Sequence, residues 1–425
     1  MLQVRPFRGM RDILPGELEV RSAALATIRA TYRAHGFLEI ETPIVETLDA
    51  LYASGAGENT KLMFKVLKRG ERLDVANAAS EDDLADAGLR FDLTVPLARF
   101  YAVNQSKLPK PFAAMQIGPA FRAERPQRGR LRQFVQADAD ILGEPGWIAE
   151  VQLLIAATAA LHQLGLEGFQ LRINDRRAVE AVLKHLGIPR ERWRGVVVAL
   201  DKLDKEPPSA VRSEMVASGV EEHRADRLLE VLASMQEGDA MLPILARHGV
   251  ADEVLERLSA IESHVRSSVR DTEVIVDPLI VRGIDYYTST VFEIVHPRWG
   301  TSIGGGGRYD TLLAHFGVDE PACGISLGFE RVLALLDELG IRVGESHRRL
   351  TLIFDPRTQV AEALRQARHF RRDGFLVTLL PHDRTARSPI KRLALAAEEL
   401  KAEGSQDSFW HFTLGADTEP RLLLH

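Results

Sequence analysis

The sequence predicts an α+β fold, and three observations predict it. Residues 115–143 form two β-rich arms around a Pro/Gly/Arg turn. Residues from about 171 to 270 are helix-rich and charged, with few β signals. After Gly340, strand-like and helix-like segments alternate, the pattern of a small α/β unit.

Each element follows from its residues. Apolar residues recur at helical spacing over residues 17–35, and Gly36 then supplies a helix stop. GFLEIETPIVE, residues 36–46, alternates apolar and polar side chains as a strand does and is broken at Pro43. Residues 64–75 predict a hairpin turning at Arg69-Gly70. A polar, acidic stretch leads into GLRFDLTVPLARFYAV, a short strand running into a helix near Pro96. Residues 150–164 carry a strong helix pattern. In the helix-rich region AVEAVLKHLG, ADRLLEVLASM and DEVLERLSAIESHV keep helical spacing, which marks an inserted subdomain. β character returns in residues 273–295, followed by a glycine cluster and a helix in GFERVLALLDELG. LTLIF, FLVTLL and FWHFTLG then predict three strands separated by two helices.

Bulk properties narrow the class. A chain of 425 residues holds two or three domains with sizeable cores. No run approaches the roughly 18 apolar residues that a membrane span needs. The N-terminus lacks the apolar stretch of a secretory signal, and one cysteine, Cys323, excludes an internal disulfide framework and a Cys-rich zinc site. A reducing cytoplasm is therefore the expected location. The net charge of −6 argues against a protein that coats nucleic acid non-specifically, but a local basic loop can still serve a nucleic-acid enzyme.

Four stretches carry chemistry. FRAERPQRGRLRQF holds Arg122, Arg125, Arg128, Arg130 and Arg132 between apolar arms. Such a charge run is a solvated hairpin tip unless the backbone holds it rigid. Arg122 directly follows Phe121 in a strand, which suits bidentate recognition of a phosphate. LIVRGIDYYTSTVFE sets Arg282 in an apolar run, where it needs either an anionic ligand or a carboxylate such as Asp285 or Glu293. SIGGGGRYDTLL has four consecutive glycines, which reads as a turn or as main chain lying against a ligand. It matches neither the dinucleotide nor the P-loop fingerprint. CGISLGFERVLALL is a small-residue strand entering a helix with Glu330 and Arg331 near its start.

Together these stretches, in this order, resemble the histidyl-tRNA synthetases over nearly all of the first 340 residues. GFLEIETPIVE is similar to the dimer-forming motif 1, FRAERP with GRLRQF to class II motif 2, and GISLGFERVLAL to motif 3. VRGIDYYTSTVFE and GGGGRYDTLL resemble the two histidine signatures, and LRFDLTVPLARFYA and ALDKLDK share the family's look. The resemblance implies a class II synthetase antiparallel sheet core with helices over residues 1–340, the helical insertion at about 171–270, and a divergent anticodon-binding α/β domain at 346–425.

It also implies a mechanism. The histidine carboxylate attacks the α-phosphate of ATP, and the acyl group then passes to tRNA(His). The first step needs positive charge and in-line positioning more than acid–base work. Arg122, Arg282 and Arg331 are the implied catalytic residues, with Arg282 bridging the histidine carboxylate and the α-phosphate. Arg122, Glu124, Arg130 and Arg331 are the implied ATP ligands, Glu124 assisting through the nucleotide or its Mg²⁺; no resident protein-bound metal is expected. The histidine site falls on Asp92, Thr94, Gln136, Asp140, Tyr286, Tyr287 and Tyr309. Asp92 and Gln136 take the ammonium, while Asp140 and the tyrosines line the imidazole end. A pocket that hydrogen-bonds a polar side chain rejects apolar analogues, whose binding would leave its own groups unpaired.

A homodimer is the family's assembly, and no membrane partner is implied. Val135 stands where the family usually has histidine or tyrosine, and Ser289 where it usually has glycine. The C-terminal segment departs further: LPHDRTARSPIKRLALAAEEL and LGADTEPRLLLH replace the family's usual helix and late hairpin. Two alternatives stay open, a synthetase-like regulatory subunit of ATP phosphoribosyltransferase and a histidine-activating paralogue with a non-tRNA acceptor. The first generally lacks the motif 2 and motif 3 arginines, whereas Arg122 and Arg331 are both present here.

Overall fold

The structure is a computed structural model that describes residues 4–53, 62–125, 131–200, 202–203, 206–236, 241–269, 271–280, 287–300, 302–344, 346–382, 389–402 and 405–425. It mixes helices with three sheets, an α+β architecture as the sequence predicts. The chain divides into two compact units: Phe7–Met10 with Ile28–Leu335, and Met1–Pro6 with Arg11–Thr27 and Leu336–His425. Among the described residues no helix is long and apolar enough to cross a membrane.

The strands in chain order are β1 (Leu38–Glu39), β2 (Val45–Thr47), β3 (Lys65–Leu67), β4 (Ala85–Leu89), β5 (Phe112–Phe121), β6 (Gln133–Leu142), β7 (Gln170–Asp175), β8 (Glu273–Val276), β9 (Thr290–Val295), β10 (Ser302–Arg308) and β11 (Ala322–Gly328) in the larger unit. Eight of them form one sheet in the order β1-β5-β6-β11-β10-β9-β7-β8. Its central pairs are antiparallel, while β1 with β5 and β7 with β8 are parallel. The ten-residue arms β5 and β6 pair along their whole length, from Phe112 opposite Leu142 to Phe121 opposite Gln133. That register delivers Arg122 at the tip of one arm and sets Gln136, Asp138 and Asp140 on one face of the other.

Two predicted elements come out differently. Residues 64–75 do not form a hairpin: β3 pairs instead with β4, in a three-stranded sheet ordered β2-β4-β3, and Gly70–Arg72 is a short 3-10 turn. The four glycines are not a turn. They occupy the middle of β10, a central strand held between β9 and β11. Glycine is a poor strand former, but here it is required. A Cβ on Gly306 would lie 2.0 Å from the Gly324 carbonyl oxygen, and one on Gly307 2.5 Å from that of Thr290.

Helices cover the sheet. Ile148–Gln163 buries most of its apolar residues, and its one buried acid, Glu150, is fully enclosed. Arg308 at the end of β10 and Arg257 on the helix Asp252–Ser268 both meet Glu150 at 2.7 Å. A buried carboxylate is tolerable only when paired in this way. The region between β7 and β8 consists of helices, from Arg176–His185 to Asp252–Ser268.

The smaller unit carries a four-stranded sheet ordered β13-β12-β14-β15, from β12 (Arg348–Phe354), β13 (Phe375–Pro381), β14 (Ser408–Thr413) and β15 (Arg421–Leu424). β12 is parallel to both β13 and β14, and helices Val360–Arg372 and Ile390–Ala402 link these strands. Leu350, Leu352, Phe370, Phe375 and Phe412 form its core.

Candidate functional site

On the face of the large sheet lies a cavity of about 520 Å³. It is lined by Asp92 and Thr94 at the start of the helix Thr94–Asn104, by Arg122, Glu124, Phe134, Val135 and Gln136 from the β5 and β6 arms, by Tyr287, Gly304 and Gly305 beside β10, and by Ser326, Glu330 and Arg331. Seven of the residues singled out in the sequence therefore meet in one place: Asp92, Thr94, Arg122, Glu124, Gln136, Tyr287 and Arg331. Asp140 and Tyr309 are buried beside them and joined to each other, the tyrosine hydroxyl donating to Asp140 Oδ1 at 2.6 Å. Arg130, Arg282 and Tyr286 lie outside the described residues.

Local structure aims the two arginines. Arg122 follows the last residue of β5; its Nε donates to the Phe91 carbonyl at 3.1 Å and its guanidinium lies over the Phe134 ring. Arg331 sits in the first turn of the helix Phe329–Glu338, and its Nη1 donates to the Ser302 carbonyl at 2.6 Å. Each guanidinium is a planar fork of N–H donors, and its carbonyl contact fixes the direction in which that fork can meet an anion. Glu330, next to Arg331, accepts from the Val135 amide at 3.3 Å and ties motif 3 to motif 2.

Three buried carboxyls, Asp92, Asp138 and Asp140, lie at or behind the cavity wall. Asp92 accepts from the Val95 amide at 3.1 Å. Burial nevertheless pushes its carboxyl up to about 6, against the opposing pull of that bond and of Arg122. Asp140 is pushed up to about 7, by burial first, with the Tyr309 hydroxyl opposing and Asp92 adding to the rise. Asp138 is held well above the usual range by burial and by Asp140. A cation beside these buried carboxyls, of which Asp92 borders the cavity, would restore what burial has cost them. Facing them, Arg122 and Arg331 are suited to an anion. The cavity is thus polarised for a zwitterion or for two ligands of opposite charge.

Glycine makes that geometry possible at one further point. A Cβ on Gly324 would lie 1.8 Å from Asp140 Oδ1, so the motif 3 strand must be bare where the carboxylate stands. Two polar groups were missed in the sequence, Ser326 and Asp138, and Glu330 was named without a role. Asp138 did carry a signal, since it falls between Gln136 and Asp140 at the two-residue period that puts all three on one face. Ser326 carried none beyond lying in motif 3.

Comparison with known proteins places this arrangement. The family model of the histidyl-tRNA synthetases matches residues 9–332. A histidine–tRNA ligase from Leifsonia xyli subsp. xyli is 43% identical over 379 residues, covering 85% of this chain and 86% of that protein. A probable histidine–tRNA ligase from Tropheryma whipplei is 38% identical over 404 residues, covering 92% and 93%. Among solved structures, histidyl-tRNA synthetase from Nostoc sp. PCC 7120 superposes with a TM-score of 0.75 at 24% identity, covering 97% of this chain and 92% of that one. A protein from Bacillus halodurans described as an ATP phosphoribosyltransferase regulatory subunit/histidyl-tRNA synthetase gives 0.76 at 21% identity, covering 98% and 100%. These two likenesses concern the fold, whereas the family match spans both arms of the cavity, and most of the residues gathered around it come from the motifs described above. The chain belongs to the histidyl-tRNA synthetase family.

Proposed function

We propose that the chain catalyses histidine–tRNA ligation. Histidine's carboxylate oxygen attacks the α-phosphorus of ATP, pyrophosphate leaves, and a hydroxyl of the terminal ribose of tRNA(His) then attacks the acyl carbon and releases AMP. The single observation that carries this reading is that one cavity brings the buried carboxyl of Asp92 together with the guanidinium groups of Arg122 and Arg331. Asp92 and Gln136 take the ammonium, while Asp140, Tyr286, Tyr287 and Tyr309 enclose the imidazole, with Thr94 on the wall. Arg122, Arg130 and Arg331 hold the triphosphate, and Arg282 bridges carboxylate and α-phosphate. Fixed positive charge at a phosphoryl centre stabilises the charge that develops there without reorganising water.

Among the described residues no group of three or more His, Cys, Asp or Glu is gathered around one point as a metal cage. We assign Mg²⁺ to the incoming nucleotide, where it would neutralise phosphate charge, with Glu124 as the carboxylate to meet it. The relatives with this activity are similar along most of this chain, and Arg122 and Arg331 favour an enzyme over the regulatory paralogue. We assign tRNA binding to the smaller unit and self-association to the motif 1 segment, where Leu38, Ile44 and Val45 are exposed. Cys323 is buried as a free thiol, which accords with a reducing cytoplasm.

ATP–pyrophosphate exchange tests the first step: it should require histidine, and Arg331→Ala should lower it by roughly a hundredfold or more. Charging of a tRNA(His) transcript tests the second. Exchange without charging would point to another acceptor, and no exchange with histidine would end the reading.

A further inference from the structure

Arg90 is a buried cation, 3% exposed, whose hydrogen bonds end on neutral oxygens. Its Nε donates to the Pro119 carbonyl at 2.8 Å, and its Nη1 donates to the Thr42 carbonyl at 2.7 Å and to the Thr42 hydroxyl at 3.2 Å. Among the described residues no carboxylate stands within ion-pair distance of it; Glu46, the acid of β2, is held instead by Arg99 at 2.7 and 2.8 Å. The guanidinium lies against β5 where Gly118 leaves the strand bare, since a Cβ there would be 2.6 Å from Arg90 Nη2.

The main chain around Arg90 is held on both sides. Its amide donates to the Ile44 carbonyl at 2.9 Å, and its carbonyl accepts from the Phe121 amide at 2.9 Å. One residue on, the Phe91 carbonyl accepts from Arg122 Nε. Asp92 comes next and borders the cavity with Thr94 and Arg122. Residues 90–94 thus hang between motif 1 at residues 42–44 and motif 2 at residues 119–122, and the Arg90 side chain grips both. A buried charge without a counter-charge costs stability, and an apolar side chain of similar length would not carry that cost. What the planar fork adds is a fixed spacing and angle between two carbonyl groups.

We infer that Arg90 ties motif 1 to the motif 2 arm and thereby sets where Asp92 stands relative to Arg122, so that the carboxylate meets the α-ammonium of histidine. The inference rests on the histidine-binding reading of the cavity. Arg90 does not border the cavity and touches no ligand there, so it is a positioning residue. Without it, the two carbonyls lose their common donor and the segment that carries Asp92 loses its fixed frame.

The test uses the full-length chain, active sites counted from the burst of adenylate, and two competitors of histidine in the exchange reaction. Histidinol keeps the ammonium and imidazole but lacks the carboxylate. Imidazolepropionate keeps the imidazole and carboxylate but lacks the ammonium. With Arg90→Met, the KM for histidine and the inhibition constant for histidinol should rise roughly tenfold, while the inhibition constant for imidazolepropionate and the KM for ATP change less than about twofold. Arg90→Lys should give the same split at smaller amplitude, because an ammonium keeps the charge but cannot hold two carbonyls in one plane. If Arg90→Met yields no soluble protein, Arg90→Lys alone decides. Equal weakening of both competitors would make Arg90 part of the general packing and overturn the inference, and so would constants unchanged per active site. Wild-type protein that shows no histidine-dependent exchange would instead remove the histidine site itself, and the inference with it.

Discussion

Asp140 holds its charge at a cost. Burial and Asp92 raise its carboxyl from 3.8 to about 7, although Tyr309 donates a hydrogen bond to it. The sign follows from linkage: a carboxyl raised on folding favours the native state while protonated, and that contribution is lost as pH rises from about 4 through 7. At about 1.36 kcal/mol per pH unit the loss is roughly 4 kcal/mol by pH 8. Asp140→Asn keeps an acceptor for Tyr309 and removes the charge. In the absence of histidine, that variant should therefore unfold at higher temperature than wild type at pH 8, with the gap shrinking steadily toward pH 5. A gap independent of pH, read from thermal scans at both values, would refute the assignment. The same substitution should weaken histidine binding, the usual exchange of stability for function at a binding site. At this scale the sequence was legible where a residue sat inside a motif, as Arg122 and Arg331 do. It was not legible where a contact joins side chains on two strands far apart in the chain, as that of the Gln136 amide with Ser326 Oγ does.

Among the elements, β10 shows how packing overrides local preference. Gly306→Ala asks a methyl group to share space with the Gly324 carbonyl and the Phe292 ring, at 2.0 and 2.7 Å. Central strands cannot move apart without losing their ladder, so the cost should exceed about 4 kcal/mol and leave little soluble protein on expression. Gly305→Ala meets its nearest atom at 3.1 Å and should be milder. Comparable soluble yields for the two variants would contradict this ranking. The segment around β1 and β2 makes a second claim. Leu38, Ile44 and Val45 are 51%, 41% and 47% exposed, which is a large apolar presence on a solvated edge. Ile44→Asp should convert a proposed dimer to monomer in analytical ultracentrifugation and lower exchange activity with it. A sedimentation coefficient unchanged from wild type would argue against that interface. Residues 64–75 failed as a hairpin for a related reason: β3 found its partner at β4, eighteen or more residues away, and local turn chemistry carries no information about such a pairing.

For the molecule as a whole, the family match ends at residue 332, so the smaller unit has to be read from its surface. Its helix Val360–Arg372 buries Ala363, Ala367 and Phe370 and exposes Arg368 and Arg372 one turn apart. Exposed guanidiniums at that spacing suit a phosphate backbone, and their contribution should fall with salt. Arg368→Glu combined with Arg372→Glu should raise the KM for tRNA(His) several-fold and leave histidine-dependent exchange unchanged. Equal loss in both assays, or in neither, would place tRNA elsewhere.

What the sequence determined by itself was the set of chemical groups and their order: arginines after a strand, alternating acids and amides within one, and glycine runs where others carry side chains. Periodicity made most helices and strands readable because burial imposes it locally. Tertiary structure alone decided which strand each glycine had to face, that three carboxyls would be buried close together, and which hydroxyl would meet which amide. Those outcomes depend on contacts between residues far apart in the chain, where a difference of an ångström separates a hydrogen bond from a collision.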